Sequence, residues 1–264
     1  MNRIDKKMAD LKASNRTALV PYIAAGDPEI SWTADMMHAL VESGADMIEL
    51  GLAFSDPMAD GPTIQLAYER IVAKGISAKD VFSQVAKFRE KDTTTPVILM
   101  GYLNSIEVMG NGSFCDKAST AGVDALLVVD LPPEEAQPLQ DAMRPHGMHQ
   151  IFLVAPTTTD ERTQLICNAA SGFVYYVSMK GVTGSAAADS QDIKQHVLAL
   201  KKHTSLPIAV GFGIRDAASA KAVSSSADAV VIGSALVAQL AECKSLSEAT
   251  ETIHAFLQPV SQAI

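Results

Sequence analysis

The sequence predicts an α/β fold: a single (β/α)8 barrel with extra N-terminal and loop helices, residues 1–264 forming one domain. Three observations carry this. The chain has 264 residues, and a barrel of alternating strand and helix needs about 250 as one unit. It is 48% hydrophobic but only 5% aromatic, with mean hydropathy +0.14, which is the palette of buried parallel strands covered by helices. A weak internal repeat also recurs, in which a helical stretch is followed by a small residue or Gly, often by Asp, and then by an apolar run.

Near the start, Ile4, Met8 and Leu11 fall at i, i+4, i+7 and predict a short amphipathic helix laid over the barrel. The first strand is Leu19–Ala25. Ser43-Gly44-Ala45-Asp46 precedes the second, Met47–Gly51, and Pro96 opens the third, Pro96–Gly101. Ala121-Gly122-Val123-Asp124 leads into Ala125–Asp130, and Gln150–Val154 is the fifth strand. Ser171-Gly172 introduces Phe173–Ser178, Pro207 opens Pro207–Gly211, and Ser226-Ala227-Asp228 precedes Ala229–Gly233. Gly after a helix supplies a left-handed cap, and proline at a strand start removes an N–H that the ladder does not need there. Helical patterns lie between: Ser31–Glu42, Ala78–Lys91, Glu134–Pro145, Asp160–Ala170, Asp189–His203 and Asp216–Ser225.

Strict alternation implies parallel strands joined by right-handed crossovers. An open dinucleotide-binding sheet would want GxGxxG after its first strand, and Leu19–Pro28 contains only Gly26. Net charge is −9 and pI about 5.1, with no Lys/Arg stripe, which argues against a nucleic-acid partner. Cys115, Cys167 and Cys243 are odd in number and widely spaced, which argues against a disulfide framework or zinc site and for a reducing compartment. The first fifteen residues lack an apolar signal region, and no apolar run reaches the roughly 18 residues of a membrane span. A cytoplasmic location is expected.

Barrel chemistry lies at the C-terminal strand ends. Glu49 sits inside the second strand, and alternation puts Met47, Glu49 and Gly51 on the face most simply read as the barrel interior. Burying a lone carboxylate costs free energy or raises its pKa until it holds a proton, and either suits a general acid/base near neutral pH. The alternative, a Glu paired with Arg or Lys inside the barrel, finds no such residue in the eight strand cores. Asp60 lies in the Pro/Gly-bounded loop above that strand, with Pro62 placed as the first residue of a helix. By itself Asp60-Gly61 reads as a turn or helix-cap Asp, as does Asp56 before Pro57; its place above Glu49 raises the catalytic reading of Asp60.

An anion cradle is legible at three strand ends: Gly211-Phe212-Gly213, Gly233-Ser234 at a helix start, and the Gly-rich Ser178–Gly184. Glycines let backbone N–H groups approach a phosphate, and the helix N-terminus favours negative charge. Tyr22, Tyr102, Tyr175 and Phe212 at strand ends are each core packing alone, but together could wall a flat apolar substrate. The six histidines show no metal-ligand pairing, and no strand carries the central Lys of a Schiff-base aldolase, since Lys180 is in a loop. GxSxG and HExxH are absent.

The run IELGLAFSDPMADGPTIQ, residues 48–65, closely resembles the signature of the tryptophan synthase α-subunit family, together with PYIAAGDP, GVTG at 181–184, GFGI at 211–214 and IGSA at 232–235. The resemblance spans essentially the whole chain. It implies a TIM-barrel carbon–carbon lyase of the last steps of tryptophan biosynthesis, splitting indole-3-glycerol phosphate into indole and glyceraldehyde 3-phosphate without metal or Schiff base. By that resemblance Asp60 binds the indole N–H, and Glu49 delivers a proton to indole C3 and takes the glycerol hydroxyl proton. Thr183 belongs to a loop that closes over the site. Gly184, Gly213, Gly233 and Ser234 hold the phosphate, Tyr22, Tyr102, Leu127, Val129, Leu153, Tyr175 and Phe212 line the indole pocket, and Gly211 and Ile232 complete the substrate-binding set. The resemblance also implies a β-subunit partner that carries pyridoxal phosphate, an α2β2 heterotetramer passing indole through a tunnel, and docking loops around Ala53–Asp60, Tyr102–Gly110 and Leu131–Glu135.

Three positions depart from the family pattern. Ala53 stands where Pro is usual, Tyr22 replaces a common Phe and brings a hydroxyl to the indole pocket, and Met179-Lys180 differs from a frequent Arg-containing loop. These bear on coupling to the partner more than on chemistry. An indoleglycerol-phosphate synthase or Amadori-type isomerase is the rival within the class, but such a synthase wants a strand-end Lys. A non-catalytic subunit that only activates a partner would not need a buried, unpaired carboxylate.

Overall fold

A computed structural model of the chain describes residues 1–177, 190–211 and 213–264. Eight parallel strands close into a barrel in sequence order. They are β1 (Ala18–Ala24), β2 (Ile48–Gly51), β3 (Val97–Gly101), β4 (Ala125–Val128), β5 (His149–Val154), β6 (Val174–Val177), β7 (Ile208–Gly211) and β8 (Ala229–Ile232), and β8 pairs with β1 to complete the ring. The helices are α1 (Arg3–Ala13), α2 (Thr33–Glu42), α3 (Pro62–Ala73), α4 (Ala78–Arg89), α5 (Leu103–Glu107) and α6 (Asn111–Ala121), then α7 (Gln137–Met143), α8 (Asp160–Ala169), α9 (Ser190–Leu200), α10 (Ala217–Ser224), α11 (Ser234–Leu240) and α12 (Leu246–Ala263). α12 packs against both α2 and α10, so the last helix helps close the outer layer over the β8–β1 seam.

Alternation sorts the side chains into two cores. Ile48, Leu50, Leu99, Leu126, Val210 and Val230 point outward into the layer shared with the helices. Met47, Ile98, Ala125, Leu127, Ile151, Tyr175, Ala209, Ala229 and Val231 fill the interior. Ile4, Met8 and Leu11 of α1 belong to that interior cluster, so the N-terminal helix plugs the bottom of the barrel with its apolar stripe. Asn2 caps α1 by accepting from the Ile4 N–H at 2.8 Å.

The repeated residue before the even-numbered strands has a structural purpose. The N–H of Leu19 donates to Asp46 (3.0 Å), that of Val97 to Asp124 (2.9 Å), that of Gln150 to the Ser171 hydroxyl (3.0 Å) and that of Ile208 to Asp228 (2.8 Å). In return the backbone N–H groups of Asp46, Asp124, Ser171 and Asp228 donate to the carbonyls of the same four residues at 2.9–3.0 Å. Each odd strand is therefore clasped at two points by the residue that starts the next strand. The repeat is fourfold, one clasp per pair of strands, and it satisfies polar groups at the barrel floor that the ladder leaves over.

Glycine placement follows the same logic. Gly122 ends α6 in the left-handed region at φ 99°, and a Cβ there would lie 2.7 Å from the Arg89 side chain. Its absence lets Arg89 cross to Asp124.

Element ends moved where proline intervened. The single helix expected over Glu134–Pro145 is a 3-10 turn at Pro133–Glu135, α7, and a second 3-10 turn at Arg144–His146, because Pro138 and Pro145 lack the N–H groups a continuous helix would use. β4 stops at Val128, short of Asp130; the Asp130 carboxylate instead accepts from the Leu103 N–H at 2.8 Å, tying the loops above β3 and β4 together. His149 opens β5 rather than lying in the connection before it.

Candidate active site

Glu49 occupies the middle of β2 at 2% exposure, surrounded by the interior cluster. Its register partners are Tyr22 on β1 and Ile98 on β3. The Oε1 atom is buried with no hydrogen-bond partner, and among the described residues no Lys or Arg forms the internal ion pair that was the alternative reading. Burial, and then the neighbouring negative charge of Asp60, push its carboxyl up to about 8.

Asp60 hangs from the loop between β2 and α3. Gly61 is the helix N-cap and α3 has no side-chain cap, with Pro62 in its first turn, so Asp60 does not serve as the cap that its sequence context also allowed. Its carboxylate accepts from the Tyr102 hydroxyl at 2.7 Å, and that hydroxyl accepts from the Ala59 N–H at 3.1 Å. Phe54 stacks on Tyr102 with ring centroids 5.1 Å apart, which folds the loop over the mouth. Gln65 holds the loop's end through a 2.8 Å bond to the Asp60 carbonyl. Partial burial raises the Asp60 carboxyl, and the Tyr102 bond works in the opposite direction. Tyr102→Phe is expected to shift the Asp60 titration upward, because the ionised form loses a donor; carboxyl-resolved NMR checks this, and an unchanged midpoint would contradict it. Asp56 is exposed and bonds to Ser55 at 2.6 Å, as a turn residue does.

The remaining expected residues divide by position. Tyr175 and Leu127 lie in the interior with Val129 and Leu153 packed on its edge, and Tyr22 and Tyr102 share a cluster at the mouth. Gly211 makes room for Tyr175: a Cβ on it would sit 2.0 Å from the tyrosine hydroxyl. Gly213 follows β7 at φ 78°. Gly233 is the N-cap of α11 with no side-chain cap, and Ser234 is exposed at the first position; the Leu236 N–H already donates to the Gly233 carbonyl at 2.9 Å, which leaves the N–H groups of Ser234 and Ala235 without an acceptor among the described residues. Ile232 differs: its side chain belongs to the outer core between strands and helices, so only its backbone can border the site. Thr183, Gly184 and Phe212, with the Ser178–Gly184 loop, lie outside the described residues.

Tyr68 is the site residue that sequence reading missed. It projects from α3, fully buried, and its hydroxyl meets that of Tyr22 at 3.0 Å. Ile64, Tyr68 and Ile71 fall at i, i+4, i+7 on the buried face of α3, a pattern that reads as core; only the neighbouring Tyr22 hydroxyl hints otherwise. Among the described residues no group of three or more His, Cys, Asp or Glu is placed to hold a metal ion.

A buried carboxyl raised to about 8, a second carboxyl on the loop above its strand, buried tyrosines beside them and an uncapped helix N-terminus after β8 are parts that proton transfer on an aromatic, anionic substrate would use. The family model described as tryptophan synthase alpha chain matches residues 8–264. The tryptophan synthase alpha chain of Alkalilimnicola ehrlichii is 54% identical over 97% of this chain and 93% of the relative, and that of Cupriavidus pinatubonensis is 53% identical over 100% and 99%. The crystal structure of tryptophan synthase subunit alpha from Legionella pneumophila superposes with a TM-score of 0.93 at 44% identity, covering 100% of this chain and 98% of that one. A chain of tryptophan synthase from Mycobacterium tuberculosis superposes at 0.88 with 32% identity, covering 100% of both. With a matching family model over nearly its full length and relatives above half identical, the chain belongs to the tryptophan synthase alpha chain family.

Proposed function

We propose that the chain is the lyase of this family, cleaving indole-3-glycerol phosphate into indole and glyceraldehyde 3-phosphate by a retro-aldol reaction. The observation that carries the reading is the buried, unpartnered Glu49 carboxyl in the same barrel mouth as Asp60. Asp60 accepts a hydrogen bond from the indole N–H. Glu49, protonated at neutral pH, gives its proton to C3, and the positive charge this puts on the ring nitrogen is held by Asp60. The Glu49 carboxylate then takes the proton from the hydroxyl on the adjoining glycerol carbon. As the C–C bond breaks, its electrons return to the ring, the hydroxyl carbon becomes the aldehyde, and Glu49 is protonated again. Gly213, Gly233 and Ser234 bind the phosphate through backbone N–H groups and a hydroxyl, with Gly184 and the closing loop of Thr183 contributing by the family pattern. Tyr22, Tyr102, Leu127, Val129, Leu153 and Tyr175 border the ring, with Phe212 by the same pattern, alongside Gly211 and the backbone of Ile232.

The partner is a β subunit, with pyridoxal phosphate in that subunit and an α2β2 stoichiometry. Two large apolar side chains, Met58 at 75% and Val108 at 83% exposure, stand on the loops expected to dock, which suits burial by another chain. Residues 1–264 act as one barrel domain. A cytoplasmic location fits the free thiols of Cys115 and Cys167 and the absence, among the described residues, of a helix long and apolar enough to cross a membrane. The test is indole release from indole-3-glycerol phosphate by the purified chain, alone and with a β subunit. Slow release alone and a large rise in the complex are expected; no indole in either case overturns the reading.

A further inference from the structure

The barrel wall parts between β4 and β5. The two strands pair only as far as Leu127 and Ile151. Above that point β4 continues along β3, with Val128 opposite Gly101, while β5 continues along β6, from Phe152 opposite Val174 to Val154 opposite Tyr176. A cavity of about 330 Å³ fills the gap, with Val128 and Val129 on one edge and Phe152 and Leu153 on the other. Val128 and Phe152 belong to the outer core together with Leu131 and Ile166, which also line the cavity. Val129 and Leu153 pack on the interior cluster instead. The cavity therefore reaches from the edge of the barrel interior to the helix layer.

Its lining selects the ligand. Val128, Leu131, Phe152 and Ile166 are only 4–6% exposed, so the space is enclosed by buried apolar side chains. Asp130 is the one charged residue in the lining, and its Oδ1 already accepts from the Leu103 N–H at 2.8 Å. The N–H groups of Val129 and Leu131 are spent on the carbonyls of Gly101 (3.0 Å) and Val128 (3.3 Å), and Pro132 and Pro133, also in the lining, have none to offer. Among the described residues no Lys or Arg lines the cavity. Glu134, one residue past the lining, pairs with Arg162, which ties the loop after β4 to the helix that carries Ile166. A phosphate or carboxylate finds no cation here, whereas a neutral apolar molecule gains by leaving water. An apolar cavity of about 150 Å³ holds benzene and small-ligand pockets begin at about 300 Å³, so one or two fused rings fit.

We propose that this cleft is a second binding site, separate from the one that holds Glu49 and Asp60, for a small, neutral, flat apolar molecule, and that its occupant is indole. The choice of indole rests on the lyase reading: that reaction releases the ring against Val129 and Leu153, which form the inner edge of the cleft. The site itself does not depend on it. Indole held there leaves Glu49 and Asp60 free for the next substrate, and it lies against the Leu131–Glu135 loop, on the side expected to meet the β subunit.

The test follows a fluorinated indole by fluorine NMR with the full chain, its substrate site saturated with indole-3-propyl phosphate, which lacks the hydroxyl that cleavage deprotonates. The probe should still bind, with contacts to the methyl groups of Ile166 and Val128 in methyl-labelled protein. Ile166→Trp fills the cavity and should weaken this binding about tenfold or more, while kcat and KM for indole release stay at wild-type values. If that variant fails to fold, the methyl contacts in the wild-type chain decide. No binding, or displacement of all bound probe by the phosphate analogue, overturns the proposal, as does binding that touches neither methyl-bearing side chain. A chain that holds the probe in the cleft yet releases no indole keeps the site and overturns the lyase reading, and with it the choice of indole as occupant.

Discussion

Glu49→Gln is expected to lower indole release about 10³-fold or more while leaving KM close to wild type, because the amide fills the same space but neither gives nor takes the two protons of the cycle. The same substitution should raise stability at alkaline pH. The Glu49 carboxyl lies at about 8 in the folded chain against 4.5 in its ordinary state. Between those values the folded chain keeps a proton that the unfolded chain has lost, so stability falls as pH rises through that window and the full penalty is present above about 8. Glutamine carries no such penalty. Thermal melts at pH 6 and pH 9 should therefore show the variant's advantage growing by a few kcal/mol, several degrees in Tm, at the higher pH. Equal pH dependence in both proteins would mean that Glu49 is not held neutral by its surroundings. A residue that destabilises the free fold while supplying the chemistry is what a site built for function is expected to contain.

The barrel was legible because its requirement repeats. Parallel strands buried on both sides read as short apolar runs, and the Asp or Ser that clasps each odd strand marks four of the strand starts in the sequence. What was not legible follows from competition between local rules. Glu134–Pro145 has helical periodicity, yet Pro138 and Pro145 divide it, so hydrophobic spacing and backbone donors gave opposite signals and the donors won. Glu49 stood out because a carboxylate amid Met47, Ile48 and Leu50 has no packing reason to be there. Asp60 did not, since a turn aspartate before Gly looks the same; only its bond to Tyr102, a residue 42 positions away, separates the two. Tyr68 was hidden by its own good fit to a helical core stripe. Ile232 was assigned by its neighbours in the motif, while strand alternation turns its side chain away from the mouth.

Asp124→Ala is expected to cost about 3–5 kcal/mol of stability, the largest effect of any single change on the side of the barrel opposite the chemistry. Asp124 is 4% exposed and its carboxylate receives three donors: the Val97 N–H and Arg89 through Oδ2, and Arg3 through Oδ1, each at 2.9 Å. Its carbonyl accepts from Asn2 at 2.9 Å as well, so one residue joins α1, α4, β3 and β4 at the floor. The alanine variant takes the close carboxylate from the Arg89 guanidinium, only 10% exposed, leaving it the carbonyls of Asp92, Thr95 and Gly122 and a 4.0 Å contact with the Asp92 carboxylate beside a new cavity, and it loosens the helix that plugs the interior. Asp124→Asn keeps one acceptor oxygen for the Val97 N–H but loses the charge, and should fall between wild type and alanine. Arg3 is one-third exposed, so Arg3→Ala should cost far less, about 1 kcal/mol or below. Denaturant unfolding measures all three. Because strands in such barrels anchor stability at the floor and chemistry at the mouth, the folded fraction of each variant should cleave substrate at the wild-type rate. A loss of kcat in protein shown to be folded would mean that the clasp below β4 also sets the geometry of the site above it.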